Sequence, residues 1–347
     1  MTATIAPTTR ARGLAALPLA RIARYGIPLA VAVALLLGAE SLRLATVNQL
    51  TSLLLLAVLA MAWNLVSGFG GQFSLGHSIF VGVGGYSSAV ILDLLDLPLL
   101  VVLPLAGAIS ALIGVVLAYP MLRLRGPYFA IGTLGLALAV QGWMLNWDFT
   151  RASQGYPMPL DPSIDLLAIM RIAVVLTVVT LVVSQFVVDA PLGLRLLALR
   201  DNEDGALALG VRRLRTLVPT WAISAFLAGV MGAVIALQNG QVTPQSAFSI
   251  QYTLDAVIIC VIGGLGTLYG PLIGAVAVFG LRQVTADFAG WASLVEALIV
   301  ILIVRFLPDG AMGVLARVGG LGRRALARRA RQRASSLSTR TPDEGTP

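Results

Sequence analysis

The stretch DAPLGLRLLALRDNEDGALALGVRRLR, residues 189–215, is the one long polar interruption between two hydrophobic regions. We call it the polar island. Pro191 and Gly193 predict a turn, after which residues 194–209 are predicted to form a helix that ends at Gly210. At 100° per residue one side of this helix is apolar and carries Leu196, Leu199, Ala206 and Leu207, while the other carries Asp201, Asp204 and Arg212. Such an amphipathic helix either packs on its own protein or docks onto a soluble partner.

The composition indicates an integral membrane protein. Hydrophobic residues make up 58% of the 347 residues, charged residues only 12%, and the mean hydropathy is +0.90. A soluble domain carries roughly twice that share of charged residues. Repeated apolar runs of about 20 residues each suit helices that cross a bilayer. The predicted fold is therefore all-α and polytopic.

The net charge of +8 comes from the two ends of the chain. Residues 1–24 hold four arginines and no acidic residue, and residues 308–347 hold eight arginines and three acidic residues. These arginines flank hydrophobic spans, which is typical of cytoplasmic segments of membrane proteins rather than of nucleic-acid binding. We therefore expect a basic arm at 1–24, a transmembrane domain at 25–307 and an Arg-rich tail at 308–347, with both termini in the cytoplasm.

The apolar runs predict about ten transmembrane helices, within a range of about eight to ten. The lower limit applies if residues 252–262 form only half a helix before the glycines that follow. The first predicted helix covers residues 27–39 and the last covers 291–307. Cys260 is the single cysteine, so an internal disulfide is excluded.

Two glycine-rich segments interrupt the apolar runs. The first glycine segment, residues 68–86, holds seven glycines between positions 68 and 85, and the second glycine segment is GGLGTLYGP, residues 263–271. Both are expected in the protein interior, because irregular backbone at membrane depth must be buried in protein or line a wet cavity. They serve either close helix packing or a broken helix along a translocation path. Their weak mutual similarity suggests an internal repeat with a binding site at its interface.

His77, inside the first glycine segment, is the only histidine in the chain. A lone histidine does not make a metal site, and no metal or other cofactor is expected. The two remaining interpretations are a hydrogen-bonded structural residue and a direct role in transport.

Several motifs together resemble one family. NLVSGFGGQFSLGH (64–77), RGPYFAIGTL (125–134), GGLGTLYGP (263–271) and the ending PDG (308–310) resemble the LivM-type permease subunits of ABC importers for branched-chain amino acids. RDNEDGALALG (200–210) is similar to that family's cytoplasmic loop, which couples to the ATPase. The resemblance extends over about residues 45–315.

The resemblance implies a multi-pass inner-membrane subunit within a complex of two permeases and two ATPases. Its expected partners are ABC ATPase subunits, a second permease of the LivH type, an external substrate-binding protein and membrane lipid, with no nucleic acid. The chain itself has no lysine and no P-loop, so it is not expected to hydrolyse ATP or to be an enzyme. This absence favours the docking interpretation of the island, with a coupling loop at 189–216.

The expected site residues fall into two groups. The ATPase-coupling residues are Leu199, Arg200, Asp201, Asn202, Glu203, Ala206, Leu207 and Gly210, and their apolar stripe is expected to enter a groove on the ATPase. The translocation-path residues are Asn64, Gly71, Gln72, Ser74, His77, Tyr128, Phe129, Thr133, Gly263 and Gly264. No catalytic residue is expected.

Two alternatives stay open. Related permeases handle urea, short amides or aromatic acids, so the resemblance alone favours hydrophobic amino acids. An ion-coupled secondary carrier would need ionisable residues inside the membrane, and the candidates are Glu40, Asp255, Asp287 and Glu296. We expect all of these except Glu296 to lie near helix ends, in reach of interfacial water. A copurifying P-loop ATPase would distinguish a permease subunit from a carrier.

Overall fold

A computed structural model of the chain describes residues 43–159 and 165–285, with isolated positions between 30 and 40 and between 298 and 313. Its α-helices are α1 (Leu44–Asn64), α2 (Ser78–Leu95), α3 (Leu99–Met121), α4 (Pro127–Met144), α5 (Leu166–Asp189), α6 (Pro191–Asp201), α7 (Glu203–Ala208), α8 (Arg213–Asn239), α9 (Pro244–Ala247), α10 (Ile250–Gly263) and α11 (Gly270–Thr285). A π-helix, Leu65–Phe69, continues α1, and two-residue strands β1 (Tyr156–Pro157) and β2 (Gln241–Val242) pair antiparallel.

Among the described residues, six helices are long and apolar enough to cross a membrane. The number is seven if Pro127–Met144 and the bent continuation Asp148–Gln154 form one span, and the apolar helix Gly270–Val284 is shorter. These helices agree with the predicted all-α polytopic fold. The predicted first and last spans and both termini lie almost wholly outside the described residues, so the count of ten and the side of the termini stay predictions.

The helices α1 and α8 form the centre of the bundle. Both bury most of their apolar residues within the chain, whereas α3 and α5 leave more of theirs exposed. Helix α8 packs against α1, α2 and α3. A Cβ atom on Gly84 of α2 would lie 2.0 Å from the carbonyl oxygen of Gly229 in α8, so the two backbones touch where no side chain intervenes.

Polar contacts join several helices at one end of the bundle, the predicted outer end. Strand β1 follows the loop after α4 and pairs with β2, which follows α8, in the register Tyr156 to Val242. The Tyr156 hydroxyl donates a hydrogen bond to the Asp93 carboxylate, and this bond raises the pKa of Tyr156. The amide of Gln238 donates to the side-chain oxygen of Asn48 at 2.6 Å. The ends of α1, α2 and α8 are thereby fixed relative to one another.

The polar island lies at the opposite end and differs from its prediction. The sequence predicts one helix over residues 194–209, but the structure has two, α6 and α7, separated at Asn202. Asn202 has extended backbone angles, φ −157° and ψ 100°, and its side-chain oxygen accepts a hydrogen bond from the Gly205 N–H. Asparagine favours this capping conformation because its side chain replaces a missing helical acceptor. The helix is therefore interrupted in its middle.

Candidate functional site

The chain between α1 and α2 runs without α-helix through residues 70–77, which we call the extended stretch. Side chains bond its backbone: Ser67 Oγ donates to the Gln72 carbonyl at 2.9 Å, and Trp63 Nε1 donates to the Ser74 carbonyl at 2.7 Å. The Leu75 N–H donates to Thr133 Oγ1 at 3.0 Å. Such bonds let irregular backbone persist inside a membrane protein. Most of the first glycine segment is buried, as the sequence predicts.

His77 ends the extended stretch and is fully buried. The Ser224 hydroxyl donates its one proton to the Ala62 carbonyl at 2.6 Å, so His77 Nε2 donates to Ser224 Oγ at 2.9 Å. Nδ1 then accepts from Ser74 Oγ at 3.1 Å. Both ring nitrogens of a neutral imidazole are thus bonded, in the tautomer that this network assigns. This arrangement agrees with the interpretation of His77 as a structural residue.

We expect His77→Gln to keep uptake within roughly fivefold of wild type, equivalent to about 1 kcal/mol, because glutamine retains a donor that can reach Ser224. His77→Leu leaves the proton of the buried Ser74 hydroxyl without its acceptor, at a cost of about 1–3 kcal/mol, so the amount of folded protein should fall. Uptake of labelled leucine, normalised to membrane abundance, measures both effects. Complete loss of uptake in His77→Gln at normal abundance would show a direct role in transport.

Asn64, the last residue of α1, bonds the second glycine segment where the two segments meet. Its Nδ2 donates to the Thr267 carbonyl at 2.8 Å, and its Oδ1 accepts from the Gly266 N–H at 2.9 Å. A Cβ atom on Gly266 would lie 2.8 Å from the carbonyl oxygen of Gly68. Gly263 and Gly264, at the start of the second segment, are buried. Two segments about 200 residues apart in sequence therefore form one site.

Arg200 of the polar island lies against both glycine segments. Its Nη1 donates to the Gly68 carbonyl at 3.2 Å, and a Cβ atom on Gly266 would lie 2.5 Å from the same nitrogen. Gly71 has φ +70°, and a Cβ atom there would lie 2.9 Å from Arg200 Cα. We call this meeting of the island with both segments the junction. Arg200 of α6 is therefore in direct contact with the backbone of both segments.

The apolar stripe of the island does not face outward. Leu199 and Ala206 are buried against the rest of the chain, as is Leu196, and Leu207 is half-buried. The expectation that this stripe is free to enter a groove on a partner is therefore wrong for Leu199 and Ala206. The stripe packs on the bundle: a Cβ atom on Gly70 would lie 3.4 Å from both Leu196 Cδ2 of the island and Leu217 Cδ2 of α8. The residues that the island does expose include Leu194, Asp201, Asn202, Asp204, Ala208, Leu209 and Gly210.

Helix α4 contributes two of its three predicted residues to the interior. Thr133 bonds the extended stretch, and Phe129 is buried with its ring edge-on to Trp221 at 5.8 Å between centroids. Tyr128 is 73% exposed and lies away from this group. Sequence reasoning missed the polar partners of the site, which are Trp63, Ser67, Arg213, Ser224 and Thr267. Ser67 and Thr267 stand within the motifs at 64–77 and 263–271, whereas the other three belong to ordinary helical patterns.

Residues 45–307 match the family described as branched-chain amino acid transport system / permease component. The chain belongs to this permease family. It is 29% identical over 297 residues to the branched-chain amino acid permease protein LivM of Salmonella typhimurium, covering 77% of this chain and 70% of that protein, and 28% identical over the same length to LivM of Escherichia coli K12.

A more distant relative in the same comparison is LsrC, the autoinducer 2 import system permease of Salmonella typhi. It is 26% identical over 227 residues, which is 60% of this chain and 63% of that protein. No solved structure matches the chain. The resemblance to LivM-type permeases is confirmed, and the protein is a multi-pass transport subunit of the inner membrane. These related permeases serve different substrates, branched-chain amino acids and autoinducer 2.

Proposed function

We propose that this permease subunit moves branched-chain or other hydrophobic amino acids across the inner membrane, driven by separate ATPase subunits that dock on the polar island. The observation that carries the proposal is the junction, where Arg200 of the island contacts both glycine segments. An external substrate-binding protein and a second, LivH-type permease complete the transporter. The relatives named for branched-chain amino acid transport support this substrate class.

The energy for transport has to reach the membrane helices from outside this chain. The sequence holds no lysine and hence no P-loop, so the work of ATP hydrolysis enters through a surface that a soluble ATPase can touch. The island exposes Leu194 and Leu209 beside acidic and amide groups. Because α6 is packed on the junction, force applied to this surface acts on the glycine segments.

The extended stretch suits an apolar substrate side chain. Along it Gly71 and Phe73 are exposed and Leu75 is half-buried, while Gln72 and Ser74 between them are buried. One edge of the stretch is therefore apolar and open, and the other is polar and bonded to the bundle. An apolar edge backed by a rigid polar network can contact a hydrophobic side chain without leaving a buried polar group unpaired.

Copurification and uptake test this function together. The chain, expressed with its neighbouring subunits, should purify with a P-loop ATPase. Proteoliposomes that contain the complex should take up labelled leucine only when ATP is present on the side of the membrane where the ATPase lies. Urea and benzoate serve as competing probes. Uptake by the chain alone would refute the ATPase-driven proposal, and uptake of urea or benzoate but not leucine would refute the substrate class.

The structure argues against the ion-coupled carrier. Asp255 was expected near a helix end, but it lies inside α10, is buried, and accepts hydrogen bonds from Arg282 Nη2 at 2.6 Å and Gln251 Nε2 at 2.8 Å. A buried carboxylate held by an arginine and an amide is accounted for as part of an ion pair within the bundle, without a role in carrying protons. Glu40 pairs with Arg171 at 2.9 Å, with both side chains largely exposed. Asp287 and Glu296 lie outside the described residues.

We expect Asp255→Asn to destabilise the protein by about 1–3 kcal/mol, because Arg282, whose side chain is 34% exposed, would lose its ion pair with Asp255. Replacing both residues by leucine removes both charges and should restore part of the loss. Thermal unfolding in detergent measures the difference between the single and double variants. A fully stable Asp255→Asn protein that has lost a proton-dependent uptake would instead support the carrier.

A further inference from the structure

The two helices of the polar island are held to the bundle to different degrees. Helix α6 buries Gly193, Leu196 and Leu199, whereas the six-residue α7 buries only Ala206. Asn202 separates the two helices with extended backbone. Helix α7 is therefore the part of the island that can shift while α6 stays in place, and its ties to the rest of the chain determine what such a shift does.

Arg213, the first residue of α8, holds α7 to the membrane part. Its Nε lies 2.9 Å from Glu203 Oε1 in α7, and its Nη2 donates to Gln72 Oε1 at 3.0 Å and to the Leu124 carbonyl at 3.1 Å. The Arg213 side chain is only 11% exposed. One planar guanidinium thus joins α7, the extended stretch, the turn after α3 and the start of α8, in a geometry that a lysine ammonium does not reproduce.

We propose that Arg213 is a positioning residue that passes a displacement of α7 to the extended stretch through Gln72. This inference rests on the proposed function, because it describes how docking at the island reaches the translocation path. Gln72 is bonded on its backbone as well, with its N–H donating to the Val66 carbonyl and its own carbonyl accepting from Ser67. A displacement of its side chain therefore acts on backbone that is bonded to the π-helix at the end of α1.

Arg125 provides the matched control. It pairs with the same carboxylate, Glu203, at 3.5 Å and with Asp204 at 3.4 Å, but its side chain is 61% exposed. An exposed ion pair of this kind contributes little free energy. Arg125 shares the charge and the partner of Arg213, but it is exposed and lacks the bonds of Arg213 to Gln72 and to the Leu124 carbonyl.

The experiment measures ATP hydrolysed per leucine transported, in proteoliposomes that contain the complete complex with its binding protein. Arg213→Gln should raise this ratio by about tenfold or more, within the usual range of a coupling between two sites, while the complex stays assembled. Arg213→Lys keeps the charge beside Glu203 but loses the planar guanidinium that bonds several partners at once, so it should raise the ratio as well. Arg125→Gln should stay within about twofold of wild type.

A second variant protects the test against a failure of assembly. Gln72→Met removes the side-chain oxygen that accepts the hydrogen bond from Arg213 and leaves the ion pair between Arg213 and Glu203 intact. It should therefore raise the ratio of ATP hydrolysed to leucine transported in the same way. A wild-type ratio in Gln72→Met, or in an assembled Arg213→Gln complex, overturns the proposal. A wild-type complex without ATP-driven uptake of any probe overturns the proposed function itself, and that outcome is visible without a variant.

Discussion

Replacing Gly71 with leucine is expected to lower transport by about 100-fold, equivalent to roughly 2.7 kcal/mol. Gly71 has φ +70°, where a residue with a Cβ atom is strained by about 1–2 kcal/mol. The new Cβ would also lie 2.9 Å from Arg200 Cα, a backbone atom that cannot turn aside. The side chain would therefore push α6 away from the junction and break the path from the island to the glycine segments. ATP-dependent leucine uptake in proteoliposomes, normalised to inserted protein, measures the loss.

Gly240 separates the two causes of this effect. It has φ +71°, nearly the same as Gly71, but a Cβ atom on Gly240 meets nothing within 4 Å. Gly240→Leu therefore carries the backbone strain without the collision and should lower transport by no more than about 30-fold, since its cost is limited to about 1–2 kcal/mol. Equal losses in the two variants would show that strain alone matters and that the contact with Arg200 does not.

Replacing Leu209 with aspartate is expected to weaken binding of the ATPase by about 30-fold or more. Leu209 directly follows α7 and is 88% exposed, so it is the most exposed large apolar residue of the island. A carboxylate buried there in a partner contact would lack a counter-charge, at a cost of about 2–5 kcal/mol. Copurification of the ATPase and leucine-stimulated ATP hydrolysis should both fall, while the amount of permease in the membrane stays normal.

Leu95→Asp is the control for this substitution. Leu95 is also exposed, but it ends α2 at the predicted outer end of the bundle, where a cytoplasmic ATPase has no access. This variant should keep its ATPase. Ala206→Asp is a poorer test, because Ala206 is buried within the chain and an aspartate there would disrupt α7 itself. Retention of the ATPase by Leu209→Asp would contradict docking at the island.

The sequence predicted the large features because they depend on local composition. Apolar runs predicted the helices, and glycine density predicted that the first segment is buried. The split of the island at Asn202 was missed because its neighbours fit one continuous apolar stripe, and the interruption depends on a single capping bond to Gly205. A periodicity argument averages over a whole helix and does not detect such a bond.

The direction in which the apolar stripe faces also could not be predicted from the sequence. Periodicity states that Leu199 and Ala206 share a side, but not whether that side meets the same chain or another one. Tyr128 and Phe129 show the same limit, because adjacent residues of α4 have opposite environments. Arg213 also contacts Gln72 and Leu124, which lie 141 and 89 residues away in sequence, and a local sequence pattern does not predict such contacts.

The bonds of Asn64 and of the extended stretch bear on the order in which the chain is synthesised. The partners that bond Leu75, His77 and Asn64 lie 58, 147 and 203 residues further along the chain, in α4, in α8 and in the second glycine segment. A ribosome delivers them in that sequence, so the early helices enter the membrane before the groups that complete their polar contacts exist. Until Thr267 emerges, Asn64 depends on water or on the insertion machinery for its hydrogen bonds. Chains that stop short of the second glycine segment should therefore remain open at their centre and be removed by quality control.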